Sequence, residues 1–142
     1  MSKRQIVIDT NVLIAALLSQ YGASYKLLTL LGSSKFEISL SVPLVLEYED
    51  VAKRLLGKIA LTASEVDDVI DYVCSVARRR KIHYLWRPFL NDPKDEMVLE
   101  LAVAAGCDTI VTYNKRDFRG VEQFGIRLLT AREFLQEIGE LP

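Results

Sequence analysis

Near its start the chain reads Ile6-Val7-Ile8-Asp9-Thr10-Asn11-Val12-Leu13-Ile14, two apolar stretches around a three-residue polar knot. The first stretch is too short for a stable helix and too continuous for a half-exposed strand. It has the character of a parallel strand covered on both faces. The second stretch resumes as an apolar helical pattern, so Asp9 stands at the carboxyl end of the strand, in the middle of the molecule. Burying an unpaired carboxylate is costly, and such a residue needs a partner, a bound metal or a raised pKa. A strand of this kind also demands crossover connections and covering helices, which excludes most all-α and all-β folds.

The rest of the chain supplies those helices. Residues 5–9 form the first strand, and residues 12–18 begin a helix interrupted at 19–22. A second helical piece over 24–31 meets Gly32, the expected C-terminal glycine. Residues 36–40 read as the second strand. Ser41 is placed to cap a helix that has Pro43 in its first turn and reaches about residue 56. Thr62 and Glu65 fit a capping box opening a long helix that ends in the basic run 78–81. Residues 82–86 read as the third strand. Asp92 and Pro93 open a further helix that closes at Gly106, 109–112 is the fourth strand, and 126–129 is a short fifth. Thr130 and Glu133 form a second capping-box match, for the terminal helix. Strands alternating with helices imply right-handed crossovers. The expectation is one α/β domain over residues 1–142, a three-layer α/β/α arrangement around a mostly parallel sheet.

A chain of 142 residues is long enough for one full core. Lys and Arg number 18 against 19 Asp and Glu, a formal net charge of −1. That gives no global basic footprint for nucleic acid, yet acids gathered in one site can mask basic residues elsewhere. Cys74 and Cys107 lie far apart, with neither metal-ligand nor redox spacing, and read as free thiols in a reducing compartment. Asp9 and Asn11 interrupt any signal-peptide core, and the apolar run 12–18 is too short to span a bilayer. A cytoplasmic protein with no membrane partner is expected.

Helical geometry at about 100° per residue sorts the acids. After the second strand, Leu44, Tyr48, Val51 and Leu55 make one apolar stripe, with Glu47 at its edge, roughly 60° from the centre. Glu49 and Asp50 point away. On the helix opened by Asp92, Asp95 shares a face with Val98 and Ala102. Glu96 falls roughly opposite, in register with Glu100, on what reads as a solvent face. Asp92 is explained as an N-cap. Asp95 in the first turn would also suit the helix dipole, but an acid needs no buried face for that. After the fourth strand comes Thr112-Tyr113-Asn114-Lys115-Arg116-Asp117-Phe118, which a turn with an Asx-type hydrogen bond would also explain. Position raises its significance. Asp9, Glu47, Asp95 and Asn114 or Asp117 each lie at or just after the carboxyl end of a different strand, the edge where open parallel sheets bind ligands.

Several carboxylates cannot all stay ionised in one crevice without a cation. Oxygen ligands with no histidine or cysteine select Mg²⁺ or Mn²⁺, and such ions suit phosphoryl chemistry by activating water and stabilising the departing oxygen. His83 is the sole histidine, so cleavage by a histidine pair is excluded, and a Ser-His-Asp triad would have to rest on a strand residue. No glycine-rich phosphate loop follows the first strand.

Taken together, the run ending in Asp9-Thr10-Asn11, Glu47 in the helix after the second strand, the Asp95 helix, and Thr112, Asn114 and Asp117 resemble a PIN domain. The similarity spans nearly the whole chain and is nearest to bacterial toxins of the VapC type. It implies a metal-dependent endoribonuclease that leaves a 5′-phosphate, acts as a homodimer and is neutralised by an antitoxin. It also implies that Asp9, Glu47 and Asp95 are catalytic metal ligands. Asn114 or Asp117 fills the fourth position, and Thr10, Asn11 and Thr112 hold the carboxylates. RNA requires positive charge nearby, for which Lys115 and Arg116 are the best placed. The basic run 78–81 is accounted for by a helix C-terminus, and Tyr113 and Trp86 are candidates for stacking on bases. Two other readings remain: another metal-dependent phosphohydrolase, and a PIN-fold binding module without catalysis.

Overall fold

Strand β1 (Arg4–Ile8) lies at the centre of the sheet. The computed structural model describes residues 3–81 and 89–142. The chain continues from β1 through α1 (Thr10–Leu18), α2 (Ala23–Thr29), β2 (Phe36–Leu40), α3 (Val42–Arg54) and α4 (Ala63–Val76) to β3 (Arg78–Arg79). Then come α5 (Pro93–Ala104), β4 (Thr109–Val111), two 3-10 turns (Lys115–Phe118 and Val121–Phe124), β5 (Arg127–Leu129) and α6 (Ala131–Glu137). Among the described residues the sheet has five strands in the order β3-β2-β1-β4-β5 and every pairing is parallel, with Ile6 opposite Ile38 on one side of β1 and Ile8 opposite Val111 on the other. Ile6, Val7, Ile110 and Val111 are fully buried, as strands covered on both faces must be. The three-layer α/β fold expected from the sequence is the fold observed.

Local chemistry sets the element ends. The Ser41 hydroxyl accepts from the Leu44 amide, with Pro43 inside the first turn of α3. Thr62 with Glu65 and Thr130 with Glu133 form complete capping boxes, and Asp92 accepts from the Lys94 amide to start α5. Each such cap is worth about 1 kcal/mol. Because β1 connects outward through β2 to β3 while β4 and β5 lie on its other side, the chain reverses direction between β1 and β4. Open sheets form their ligand crevice at that reversal.

Two local expectations are corrected. The basic run 78–81 does not finish a helix: α4 stops at Val76, and Arg78 and Arg79 pair with Ser39 and Leu40 as an edge strand. A two-residue edge strand with charged side chains is a familiar way to blunt a sheet edge. The strand expected over 82–86, with His83 and Trp86, falls outside the described residues. The second correction concerns α5. Glu96 and Glu100 do not face solvent; they are 6% and 7% exposed. Helix α5 is enclosed on most of its sides, packing on β1, β2 and β4 and also on α3 and the first 3-10 turn. A polar stripe read from periodicity alone is therefore not an outer stripe.

Candidate active site

Asp9 lies one residue beyond β1, its amide donating to Val111 O at 2.9 Å as the ladder's last rung. Its side chain caps α1, with Oδ1 accepting from the Thr10 amide at 2.9 Å. Oδ2 accepts from the Thr112 hydroxyl at 2.8 Å and from the Asn11 side-chain Nδ2 at 3.3 Å. Thr112 Oγ1 also accepts from the Asn114 amide at 3.0 Å, and Asn11 Oδ1 accepts from the Tyr113 amide at 3.3 Å. These bonds tie the loop after β4 to the start of α1. Thr10, Asn11 and Thr112 thus all touch the Asp9 carboxylate. Beneath it, the buried Tyr48 hydroxyl donates to Ile8 O.

Asp9, Glu47, Asp95, Asn114 and Asp117 line one cleft of about 430 Å³. Glu47 comes from the second turn of α3, Asp95 from the first turn of α5, and Asp117 from the first 3-10 turn. Among the described residues the only basic side chain on this wall is Lys94, whose Nζ is 3.7 Å from Glu47 Oε1. The charge imbalance is visible in the acids themselves. Burial pushes Asp95 up to about 6, with the charges of Asp9, Asp92, Asp117 and Glu47 adding to the effect. Burial also raises Asp9 despite its bonds from Thr112 and Thr10, and Asp117 and Glu47 push in the same direction. Among the described residues no three carboxylates form a ready-made ligand cage. The donor set nevertheless fits a hard divalent cation, because it is all oxygen, strongly negative and mutually repelling.

The structure separates the remaining candidates. Glu49 and Asp50 do not line that cleft and pair with Lys53 and Arg54 along α3. Lys115 is engaged with Glu133 at 2.6 Å and is not on the acid cleft. Arg116 lines an adjoining recess together with Asp92, Asp95, Asp117 and Arg119. Sequence reasoning missed Lys94 and Arg119, because neither belongs to an acidic motif; their places next to Asp95 and Asp117 were the only signal. The Tyr113 hydroxyl hydrogen-bonds with that of buried Ser24. A larger concavity of about 780 Å³ between α1, α2 and α4 contains no carboxylate, and its walls include Leu18, Tyr21, Tyr25 and Tyr72. Chemistry, not volume, marks the candidate active site.

Comparison with known proteins agrees with this fold. Residues 5–116 match the family model described as PIN domain. The chain belongs to the PIN domain family. Among solved structures it is similar to a chain in the crystal structure of VapBC2 from Rickettsia felis bound to a DNA fragment from their promoter. That match has a TM-score of 0.62 at 15% identity and covers 89% of this chain and 98% of the other. No curated protein matches the chain. No helix among the described residues is long and apolar enough to cross a membrane.

Proposed function

We propose that this PIN domain is a Mg²⁺- or Mn²⁺-dependent endoribonuclease whose reaction takes place over Asp9, Glu47, Asp95 and Asp117. One observation carries the reading: these acids line one cleft at the sheet's reversal point, and among the described residues only Lys94 opposes their charge there. Asp9, Glu47, Asp95 and Asp117 would hold the metal, with Asn114 beside them able to offer its amide oxygen. When bound, a divalent cation activates water and neutralises charge as a phosphodiester bond breaks. The chain's own contribution is orientation. Thr10, Asn11 and Thr112 fix the Asp9 carboxylate, and the Thr112–Asn114 bond positions the loop that carries Asp117. Lys94 in the cleft and Arg116 in the adjoining recess supply positive charge close to the acids, where an RNA backbone needs it.

The resemblance to VapC-type proteins extends the proposal to the toxin of a toxin–antitoxin pair, cytoplasmic, homodimeric and held in check by a cognate antitoxin. The apolar groove carrying exposed Leu18 and Tyr21 supports such a protein partner, since a patch of this kind is normally covered. The direct test is cleavage of RNA by the purified chain with Mg²⁺ or Mn²⁺ and with EDTA. Full activity in EDTA would sink the mechanism. Harmless expression of wild-type protein that cleaves cellular RNA in vitro would leave a ribonuclease but remove the toxin role.

A further inference from the structure

Beside the acid cleft, and sharing Asp92, Asp95 and Asp117 with it, is a recess of about 230 Å³ whose other walls include Phe89, Arg116 and Arg119. Both arginines are exposed, and neither enters an ion pair among the described residues. This sets them apart from neighbouring Lys115, which Glu133 already neutralises. The aromatic wall is held from two sides. Buried Glu96 accepts the Phe89 and Leu90 amides at 2.9 and 2.7 Å, fastening this segment to α5 one residue from Asp95. On the other side, Gly120 has φ +93°, and a Cβ there would lie 3.0 Å from Phe89 Cζ, so a glycine allows the ring to close on the backbone. Phe89 also packs edge-to-face on Phe124 with ring centroids 5.2 Å apart, yet stays 39% exposed.

Guanidiniums without ion-pair partners among the described residues, next to a fixed and partly exposed ring, match the two recognition elements of a nucleotide, its phosphate and its base. We propose that this recess holds the nucleotide adjacent to the scissile phosphate, with Arg116 and Arg119 on its phosphate and Phe89 against its base. The assignment rests on the ribonuclease reading above and makes Arg119 and Phe89 substrate-binding residues.

The test is fluorescence anisotropy of a labelled single-stranded RNA oligonucleotide over a salt series, in an Asp9→Asn background that stops cleavage. Replacing both arginines by alanine should weaken binding about tenfold or more and lower the salt slope by about 0.7 for each phosphate no longer neutralised. Phe89→Ala should weaken binding about tenfold with the slope unchanged, and Phe89→Trp should restore it. Lys58→Ala, which removes a charge elsewhere, controls for net charge. In the cleaving protein, Arg119→Ala should raise KM by a larger factor than it lowers kcat. The proposal is overturned if the double arginine variant and Phe89→Ala bind RNA like Lys58→Ala. Failure of the ribonuclease reading looks different: wild-type protein would show no metal-dependent cleavage, whatever the anisotropy gives.

Discussion

The two ends of the central sheet treat carboxylates in opposite ways. At the amino end, Arg4 at the start of β1 bonds Asp108 and Glu137 at 3.0 Å each and Thr109 at 2.8 Å, while Arg127 at the start of β5 grips Glu137. Burial works to raise Asp108, but bonds from Thr109, the Gln5 amide and Arg4 outweigh it and hold the carboxyl below its ordinary range. Glu137 is held low chiefly by Arg127. At the carboxyl end, Asp9 and Asp95 are pushed upward by burial and by the acids around them. One edge is a closed ion-pair network that fastens α6 to the sheet. The other keeps unbalanced negative charge, which an added cation would satisfy. Side chains of the same carboxylate chemistry thus differ in how far they are compensated, and uncompensated acids in a cleft are where functional sites tend to lie.

The largest expected effect comes from breaking the uncompensated end. Asp9→Asn or Asp95→Asn should lower Mg²⁺- or Mn²⁺-dependent RNA cleavage by on the order of 10³-fold or more, since a metal-held transition state loses several kcal/mol. Circular dichroism should show the fold unchanged. Second, Mg²⁺ or Mn²⁺ should raise the melting temperature of wild-type protein, by about 2.7 kcal/mol of stabilisation at a hundredfold excess over Kd. The shift should be smaller at pH 5 than at pH 7.5, because Asp95 takes up its proton around 6.

A third prediction concerns the protein in EDTA. A raised acid binds its proton more tightly folded than unfolded, so the stability Asp95 contributes is present below about pH 4 and lost as pH rises through about 6. Asp95→Asn should therefore raise the melting temperature at pH 7.5, with the gain shrinking towards pH 4. The sign reverses at the other end. Asp108 and Glu137, held low, lose their contribution as pH falls below the ordinary carboxylate range. Two smaller effects sharpen the contrast by urea unfolding. Glu96→Ala leaves two backbone amides without their acceptor and should cost about 1–3 kcal/mol. Arg4→Ala should cost about 1 kcal/mol, because its pairs are partly exposed, and should leave RNA cleavage at the wild-type rate.

Asp9, Glu47 and Asp95 could be singled out from local pattern, since strand ends and helical phase are properties of nearby residues. Glu96 could not. The same phase argument that drew Asp95 inward sent Glu96 to solvent, but α5 is enclosed and Glu96 turns to the amides of Phe89 and Leu90. The basic run 78–81 was misplaced for a related reason: helix-end chemistry competed with a sheet edge supplied by residues 39 and 40. Lys115 and Arg116 were equivalent in sequence; the structure pairs Lys115 with Glu133 and puts Arg116 in the recess beside the acid cleft.

What the sequence determined by itself was the alternation of strands and capped helices, hence a parallel α/β sheet, and the placing of acids after strand ends. Those follow from short-range sterics, hydrogen bonding and hydrophobic period. The tertiary structure decided which charges are compensated. It brought Lys94 to Glu47, left Arg116 and Arg119 without ion-pair partners among the described residues, and raised Asp95 through burial and through acids lying far away in the chain. Charge balance depends on distance and burial in three dimensions, which a one-dimensional pattern does not contain.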